Sequence, residues 1–324
     1  MPEPHPSISI VVVTFGGRAC LPQCLDALAQ QRDMDPGSYD VIVPCDQAIP
    51  DVAALEQRYP HFRFPLVSGR RTYAELRTIG IRESATPLVA ITEAQCTPAP
   101  QWVAAIIAAH AARPHAVIGG VVDKSSGSAL SWAMYLSDYN RYMPPVTAGP
   151  ASYLTDCNVS YKRAVLDAVA DFWHDEFHET TVHWKLQSLG QSLWLDPEVV
   201  VRHGRVLGIG EAIHDRYAFA RLFASTRVAA TTPAKRWVYA ASSCLLPAVF
   251  TLRALRSVFS KRRHAGQFVR ALPALLLITT VWAFGEFCGY VTGTAAKSLT
   301  PRHAAPDSAT PAATTTRTEA GAAA

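Results

Sequence analysis

Ile8-Ser-Ile-Val-Val-Val13 is almost unbroken in β-branched side chains and stops at Thr14-Phe-Gly-Gly17. A run of that length and composition predicts a strand buried on both faces, as in parallel sheets that carry helices on each side. Beyond the turn, Leu21, Leu25 and Leu28 recur at helical spacing. The alternation then repeats. Tyr39-Asp-Val-Ile-Val43 predicts a second strand stopped by Pro44, residues 52–59 a helix, and residues 62–66 a short strand ahead of Gly69-Arg-Arg71. Residues 73–84 read as a helix, Leu88-Val-Ala-Ile-Thr92 as a strand, and residues 102–112 as a helix with Trp102, Ile106 and His110 on one face. Strand, turn and helix alternating through about the first 120 residues marks an open, mostly parallel α/β sheet with helices on both faces. Ligands of such sheets sit at the carboxyl ends of the strands, here residues 14–17, 44–47 and 92–96.

The pattern is less regular afterwards. Residues 117–122 predict a strand and 123–128 a polar loop, whereas 129–155 hold aromatics and Pro144-Pro145 without clear periodicity. Asp156-Cys-Asn-Val-Ser-Tyr-Lys-Arg163 reads as the opening of a helix. Phe177-His-Glu179 precedes another that ends near Leu189-Gly190, the glycine being suited to the left-handed residue after a helix.

With 324 residues, 49% hydrophobic and 17% charged, the chain can bury a large core, which excludes a mainly disordered, collagenous or coiled-coil protein. Seven cysteines without a CxxC pair give neither a disulfide framework nor a zinc ribbon, so the thiols are expected to be reduced and buried. The net charge of +4 divides unevenly: residues 1–216 carry 17 Lys/Arg against 23 Asp/Glu, and residues 217–324 carry 13 against 3. An acidic body with a basic, apolar tail suits an anionic membrane face and argues against nucleic acid as a partner. MPEPHPS has no basic leader region, so the body is expected in the cytoplasm.

Two apolar segments lie in the tail. Residues 238–250 are 13 in number, uncharged, interrupted by Pro247 and too short to cross a hydrocarbon core of roughly 30 Å, so an interfacial or re-entrant placement is expected. Residues 271–292 carry one charge, Glu286, and are long enough to span. Between them, residues 251–270 hold six Lys/Arg and no acid, which belongs on the cytoplasmic side. Glu286 is expected to pair with an arginine or face protein. Gly285, Gly289 and Gly293 recur every fourth residue and permit close helix contact, with the first apolar segment or with another subunit in a homo-oligomer. Arg216, Arg221 and Arg227 with Tyr217, Phe219 and Phe223 read either as a surface helix touching lipid headgroups or a lipid diphosphate, or as plain juxtamembrane charge. The expected division is a catalytic body at 1–226, membrane-associated helices at 227–297, and a disordered Ala/Thr/Pro-rich tail at 298–324.

In order and spacing, Ser9-Ile-Val-Val-Val-Thr-Phe15, residues 90–102, Asn158-Val-Ser-Tyr-Lys-Arg163, residues 179–190 and Pro197-Glu-Val-Val-Val-Arg-His203 resemble the family 2 glycosyltransferases over roughly residues 7–226. The resemblance implies a GT-A fold and an inverting transfer of a sugar from a nucleotide-diphosphate donor. It places Thr14, Phe15, Asp46, Arg77 and Glu93 at the donor, Asn158 and Arg163 on the acceptor side, and Glu179 as the base eleven residues before Gly190. It aligns Glu93-Ala-Gln95 with the family's Asp-x-Asp, so that Glu93, Gln95 and His203 would hold a divalent cation, Mg²⁺ or Mn²⁺, more weakly than two aspartates. Each assignment has a plainer counterpart: a metal-free strand-end turn at 93–95, a dipole-favoured first-turn glutamate at 179, a turn residue at Asp46, a structural histidine at 203 and a solvated Arg77.

The chemistry makes its own demands. A carboxylate must take the acceptor hydroxyl's proton, and positive charge must meet the leaving diphosphate. Polymerising relatives carry Gln-x-x-Arg-Trp; here Ala234-Lys-Arg-Trp237 lacks the glutamine, so transfer of a single sugar to a lipid-linked or cell-surface glycan is expected. Two rivals stand beside this reading. One is a catalytically degenerate binding or scaffold protein of a membrane glycan pathway, suggested by Cys45, Gln95 and His178. The other is a zinc hydrolase built on His174 and His178, four apart on a helix with His183 nearby.

Overall fold

The computed structural model describes residues 6–14, 20–35, 37–47, 49, 51–229 and 231–295. The strands are β1 (Ile8–Val13), β2 (Tyr39–Ile42), β3 (Leu88–Glu93), β4 (Cys96–Pro98), β5 (Val117–Asp123), β6 (Gly149–Ala151), β7 (Asn158–Lys162) and β8 (Leu193–His203). The helices of the body are α1 (Leu21–Ala29), α2 (Val52–Arg58), α3 (Tyr73–Glu83), α4 (Trp102–Ala112), α5 (Ala129–Asp138), α6 (Arg163–Asp167), α7 (Ala170–Trp173) and α8 (Glu179–Ser188). They are followed by α9 (Ile209–Ala229), α10 (Pro233–Ser242), α11 (Leu246–Ser260) and α12 (Ala265–Thr292).

The strands form one sheet in the order β2-β1-β3-β7-β5-β8-β4, with β6 against the first part of β8. β1 is parallel to β2 and β3, and β5 to β8, whereas β7 runs antiparallel between β3 and β5. All six residues of β1 are buried, as its composition predicts.

Two sequence expectations change here. Residues 156–163 do not open a helix: Asn158–Lys162 is a strand, and the helix begins only at Arg163. Its side chains alternate with period two. Asn158 and Ser160 meet Trp102 and His110 of α4, and Tyr161 faces His183 and Phe177 on the other side. Residues 62–66 add only isolated bridges, Arg63 to Ile42 and Leu66 to Cys45. The unpatterned stretch after residue 128 holds α5, capped by the Ser128 hydroxyl accepting from Ser131 N at 3.2 Å.

The C-terminal helices pack directly on the body. Ala254, Val258, Phe268, Ala271, Leu275 and Ile278 belong to the same core as the sheet. The uncharged residues 238–250 lie inside a helical run, Pro233–Ser260, that extends past both their ends; at 28 residues, it and Ala265–Thr292 are each long and apolar enough to cross a membrane. The shortness argued from charge spacing is therefore corrected. The glycine stripe packs within the chain, on α9. A Cβ at Gly285 would lie 2.6 Å from the Tyr217 carbonyl oxygen, and one at Gly289 2.6 Å from that of Arg221. Neither the first apolar segment nor a second subunit is needed to fill it. The arginines of α9 are tied within the chain: the buried Arg216 pairs with Asp138, and the half-buried Arg221 and Arg227 donate to Thr294 O and the Tyr290 hydroxyl. Glu286 is buried and accepts from Trp282 Nε1 at 2.7 Å.

Candidate active site

Arg77 is the centre of the site. Thr72-Tyr-Ala-Glu75 forms a capping box in which the Thr72 hydroxyl accepts from Glu75 N and Glu75 accepts from Thr72 N, which fixes where α3 starts. Arg77 then points inward and is 1% exposed, so it does not sit on a solvated face. Its Nη2 donates to Glu93 Oε1 at 3.2 Å and to Asp156 Oδ2, and its Nη1 to Glu179 Oε2 at 3.2 Å. The Tyr73 ring lies 4.2 Å from the guanidinium carbon.

Three elements deliver the three carboxylates. Glu93 is the last residue of β3. Because β7 is antiparallel and Thr92 pairs with Asn158, the chain enters β7 where β3 ends, bringing Asp156 beside Glu93. Glu179 is the first residue of α8, whose approach is tied to α3 by Phe177 N donating to Ala74 O at 3.1 Å. Glu179 Oε1 accepts from the hydroxyls of Tyr153 and Thr180, both at 3.0 Å. The Glu93 side chain is sealed at 6% exposure, whereas Asp156 at 16% and Glu179 at 15% are reachable from outside.

The charges do not balance. One guanidinium faces three carboxylates, so the cluster favours an added proton or cation. Burial first and the Asp156 charge second push Glu93 up to about 8 against the pull of Arg77. Burial also raises Asp156. Burial opposes the charge on Arg77, but the surrounding anions outweigh it and hold the guanidinium firmly protonated.

Gln95 lies beside this cluster and donates through Nε2 to Glu93 Oε2. Cys96 of β4 pairs with His203 of β8, bringing that histidine to the same corner. Gln95 Oε1 and His203 Nδ1 are both buried without a hydrogen-bond partner. Burial, with Lys124 and Arg205 nearby, holds the His203 imidazole neutral. One carboxylate, one amide oxygen and one neutral imidazole nitrogen fit a divalent cation with few protein ligands. Among the described residues, no group of three His, Cys, Asp or Glu side chains is placed to hold a metal. Lys124 is buried with its Nζ 3.4 Å from the His203 carbonyl oxygen, over the faces of Trp132 and Tyr135, and burial lowers it to about 8.

Thr14 follows β1 directly after Val13, which is in register with Glu93. Asp46 is buried beyond β2, and its Oδ2 accepts from Arg71 N at 3.1 Å. Phe15 lies outside the described residues. Asn158 and Arg163 are placed elsewhere, as struts. Asn158 is fully buried, accepting from Trp102 Nε1 and donating to the carbonyl oxygens of Val121 and Val199, so its polar atoms are spent inside the fold. Arg163 donates to the carbonyl oxygens of Ile81 and Ser84, closing the end of α3. His174 and His178 do not share a helix face: one follows α7 and the other precedes α8, paired with Asp175 and Glu176 respectively. Sequence reading missed Asp156, Tyr153, Tyr73 and Lys124. The available signal for Asp156 was the period-two alternation directly after it.

Residues 9–170 match the family described as glycosyl transferase family 2, half of the whole chain and all of the sheet from β1 to β7. The chain belongs to glycosyltransferase family 2. It is accordingly an enzyme of glycosyl transfer, and Glu179 and His203 lie beyond the matched stretch. No curated protein sequence matches this family 2 member. Among solved structures it is similar to the mannosyltransferase PcManGT of Pyrobaculum calidifontis in complex with GDP-Man and Mn²⁺, at 15% identity and TM-score 0.56, covering 88% of this chain and 89% of that one. Residues 1–349 of S. aureus TarS in complex with UDP-GlcNAc align at 13% identity and TM-score 0.52, covering 89% and 90%. At these identities the likeness establishes the shared GT-A fold of this family 2 enzyme.

Proposed function

We propose that this glycosyltransferase moves a single sugar, with inversion, from a nucleotide-diphosphate donor to a hydroxyl of a lipid-linked or cell-surface glycan acceptor at the cytoplasmic face of the membrane. The observation that carries the reading is the carboxylate cluster on Arg77, in which Glu93 is sealed and Glu179 is reachable. Glu179 takes the acceptor proton as the acceptor oxygen bonds to the sugar's anomeric carbon and the bond to the diphosphate breaks. The proton ends on Glu179 and the electron pair on the diphosphate. Tyr153, Thr180 and Arg77 hold both oxygens of the base, which fixes its direction. Thr14 and Asp46 at neighbouring strand ends take the nucleoside. The nucleotide sugars bound by PcManGT and TarS support a nucleotide-sugar donor.

Mg²⁺ or Mn²⁺ would be held by Glu93, Gln95 Oε1 and His203 Nδ1, the two unpartnered atoms supporting this. When bound it would supply positive charge to the leaving diphosphate. The division proposed is a catalytic body at 1–226 followed by membrane-associated helices, with 298–324 outside the described residues.

The test is the Glu179→Gln variant. Its turnover should fall 10²-fold to 10⁴-fold while thermal stabilisation by nucleoside diphosphates stays unchanged. Full turnover in this variant together with its loss in Asp156→Asn would move the base to Asp156, which is equally reachable. Absence of turnover in the wild type, with biological activity intact in Glu179→Gln, would leave the scaffold reading.

A further inference from the structure

The helices α10 to α12 are tied to the catalytic body at every end. At the turn between α11 and α12, Lys261 Nζ donates to Arg141 O at 3.0 Å, Ser257 to Asn140 O, and Arg263 lies 3.4 Å from Asp123 at the end of β5. His264 sits 4.6 Å, ring to ring, from Trp132 of α5. At the far end of α12, Arg236 of α10 donates to Val291 O at 2.7 Å and Arg221 of α9 to Thr294 O at 3.0 Å. Along the middle, the Arg216–Asp138 pair joins α9 to α5 and lies under Trp282, with the guanidinium carbon 5.6 Å from the ring.

A spanning helix separates its ends by a hydrocarbon core of roughly 30 Å. If α12 crossed in this arrangement, an ion pair of α5 and α9 would be carried beside its centre into lipid, where each charge is costly. Yet both helical runs keep an outward apolar face, with Trp237, Leu245 and Phe259 on the first and Leu276, Phe284 and Phe287 on α12. The segment joining them, residues 251–270, carries six Lys/Arg and no acid, with Arg253, Arg256 and Arg262 exposed.

We infer that α10 to α12 form an in-plane platform that seats the enzyme on an anionic bilayer, apolar face down, with no segment of residues 233–294 crossing it. This rests on the membrane location proposed above and replaces the single span expected from sequence. Basic residues at the rim pair with anionic headgroups while the outward apolar side chains enter the headgroup and acyl boundary.

The full chain, reconstituted on sealed phosphatidylcholine/phosphatidylglycerol vesicles, tests it. Arg262→Cys and Thr294→Cys are made separately in a Cys20→Ser, Cys244→Ser, Cys288→Ser background and probed with a membrane-impermeant maleimide. Both positions should label from outside without detergent. Neutralising Arg253, Arg256 and Arg262 to Gln together should weaken partitioning onto phosphatidylglycerol vesicles about a hundredfold. Protection of either cysteine until detergent is added overturns the in-plane mode and leaves the membrane location standing. Failure to float with any vesicle, with or without self-association through the apolar faces, overturns the membrane location itself.

Discussion

Replacing Glu93 by Gln removes one negative charge from the cluster while keeping volume and an acceptor oxygen for Arg77 Nη2. The new amide can be met by Gln95, whose Oε1 has no partner and whose side chain need only turn over. In the folded enzyme burial, and then Asp156, raise Glu93 from an ordinary 4.5 to about 8. The native state therefore keeps a proton that the unfolded chain releases. The associated stability is complete below pH 4.5 and is lost as pH rises through about 8. At about 1.36 kcal/mol per unit, the ceiling on that loss is about 4–5 kcal/mol, the pull of Arg77 on an ionised Glu93 being already contained in the shift. The Glu93→Gln variant should thus match the wild type near pH 5 and exceed it by about 1–3 kcal/mol near pH 8.5. In a chain of this size that is a rise in Tm of about 2–6 °C. Thermal unfolding of both proteins in one detergent, from pH 5 to pH 9, reads the difference. A variant less stable than wild type at the alkaline end, or with the same slope against pH, refutes the account of Glu93 as raised by burial and by the Asp156 charge.

Other substitutions separate struts from site. Asn158→Ala strands Trp102 Nε1 and two carbonyl oxygens in the core, so unfolding should occur at lower denaturant, by about 1–3 kcal/mol for each group left unpaired, with acceptor KM unchanged in the folded fraction; a raised KM at wild-type stability would return Asn158 to the acceptor side. Gly289→Val forces α12 off the Arg221 carbonyl of α9 and should cost at least about 1–3 kcal/mol; wild-type stability would show that the stripe is not in contact. Gln95→Asp adds a carboxylate beside His203 and should tighten Mn²⁺-dependent stabilisation by nucleoside diphosphate several-fold, read by thermal shift in the presence and absence of chelator; indifference to the cation in both proteins would remove the metal from this corner.

What could be read from the sequence divides along a physical line. β1 was legible because a strand covered on both faces has no polar positions to keep, and Ile8–Val13 has one, Ser9, whose hydroxyl accepts from Thr86 at 2.9 Å. Glu93 and Glu179 were singled out by the family resemblance, the one directly after the strand read at residues 88–92 and the other eleven residues before Gly190. Their common partner, Arg77, was placed at the donor by that resemblance, but its burial was not legible. Nothing in the local pattern around Arg77 distinguishes a buried arginine from a solvated one; the distinction comes from α8 and β7, which lie far along the chain. Asp156 was hidden by a period misread. Asn158-Val-Ser-Tyr-Lys162 looks helical when its polar residues are taken as a cap, yet Asn158 and Ser160 are polar because α4 offers them Trp102 Nε1 and His110. Read as a strand, it pairs antiparallel with β3, and antiparallel pairing puts the residue before one strand beside the residue ending the other. The site thus follows from one topological fact. An antiparallel strand inserted between parallel ones delivers a second carboxylate to the end of β3, and a buried arginine is the side chain that lets the carboxylates coexist there.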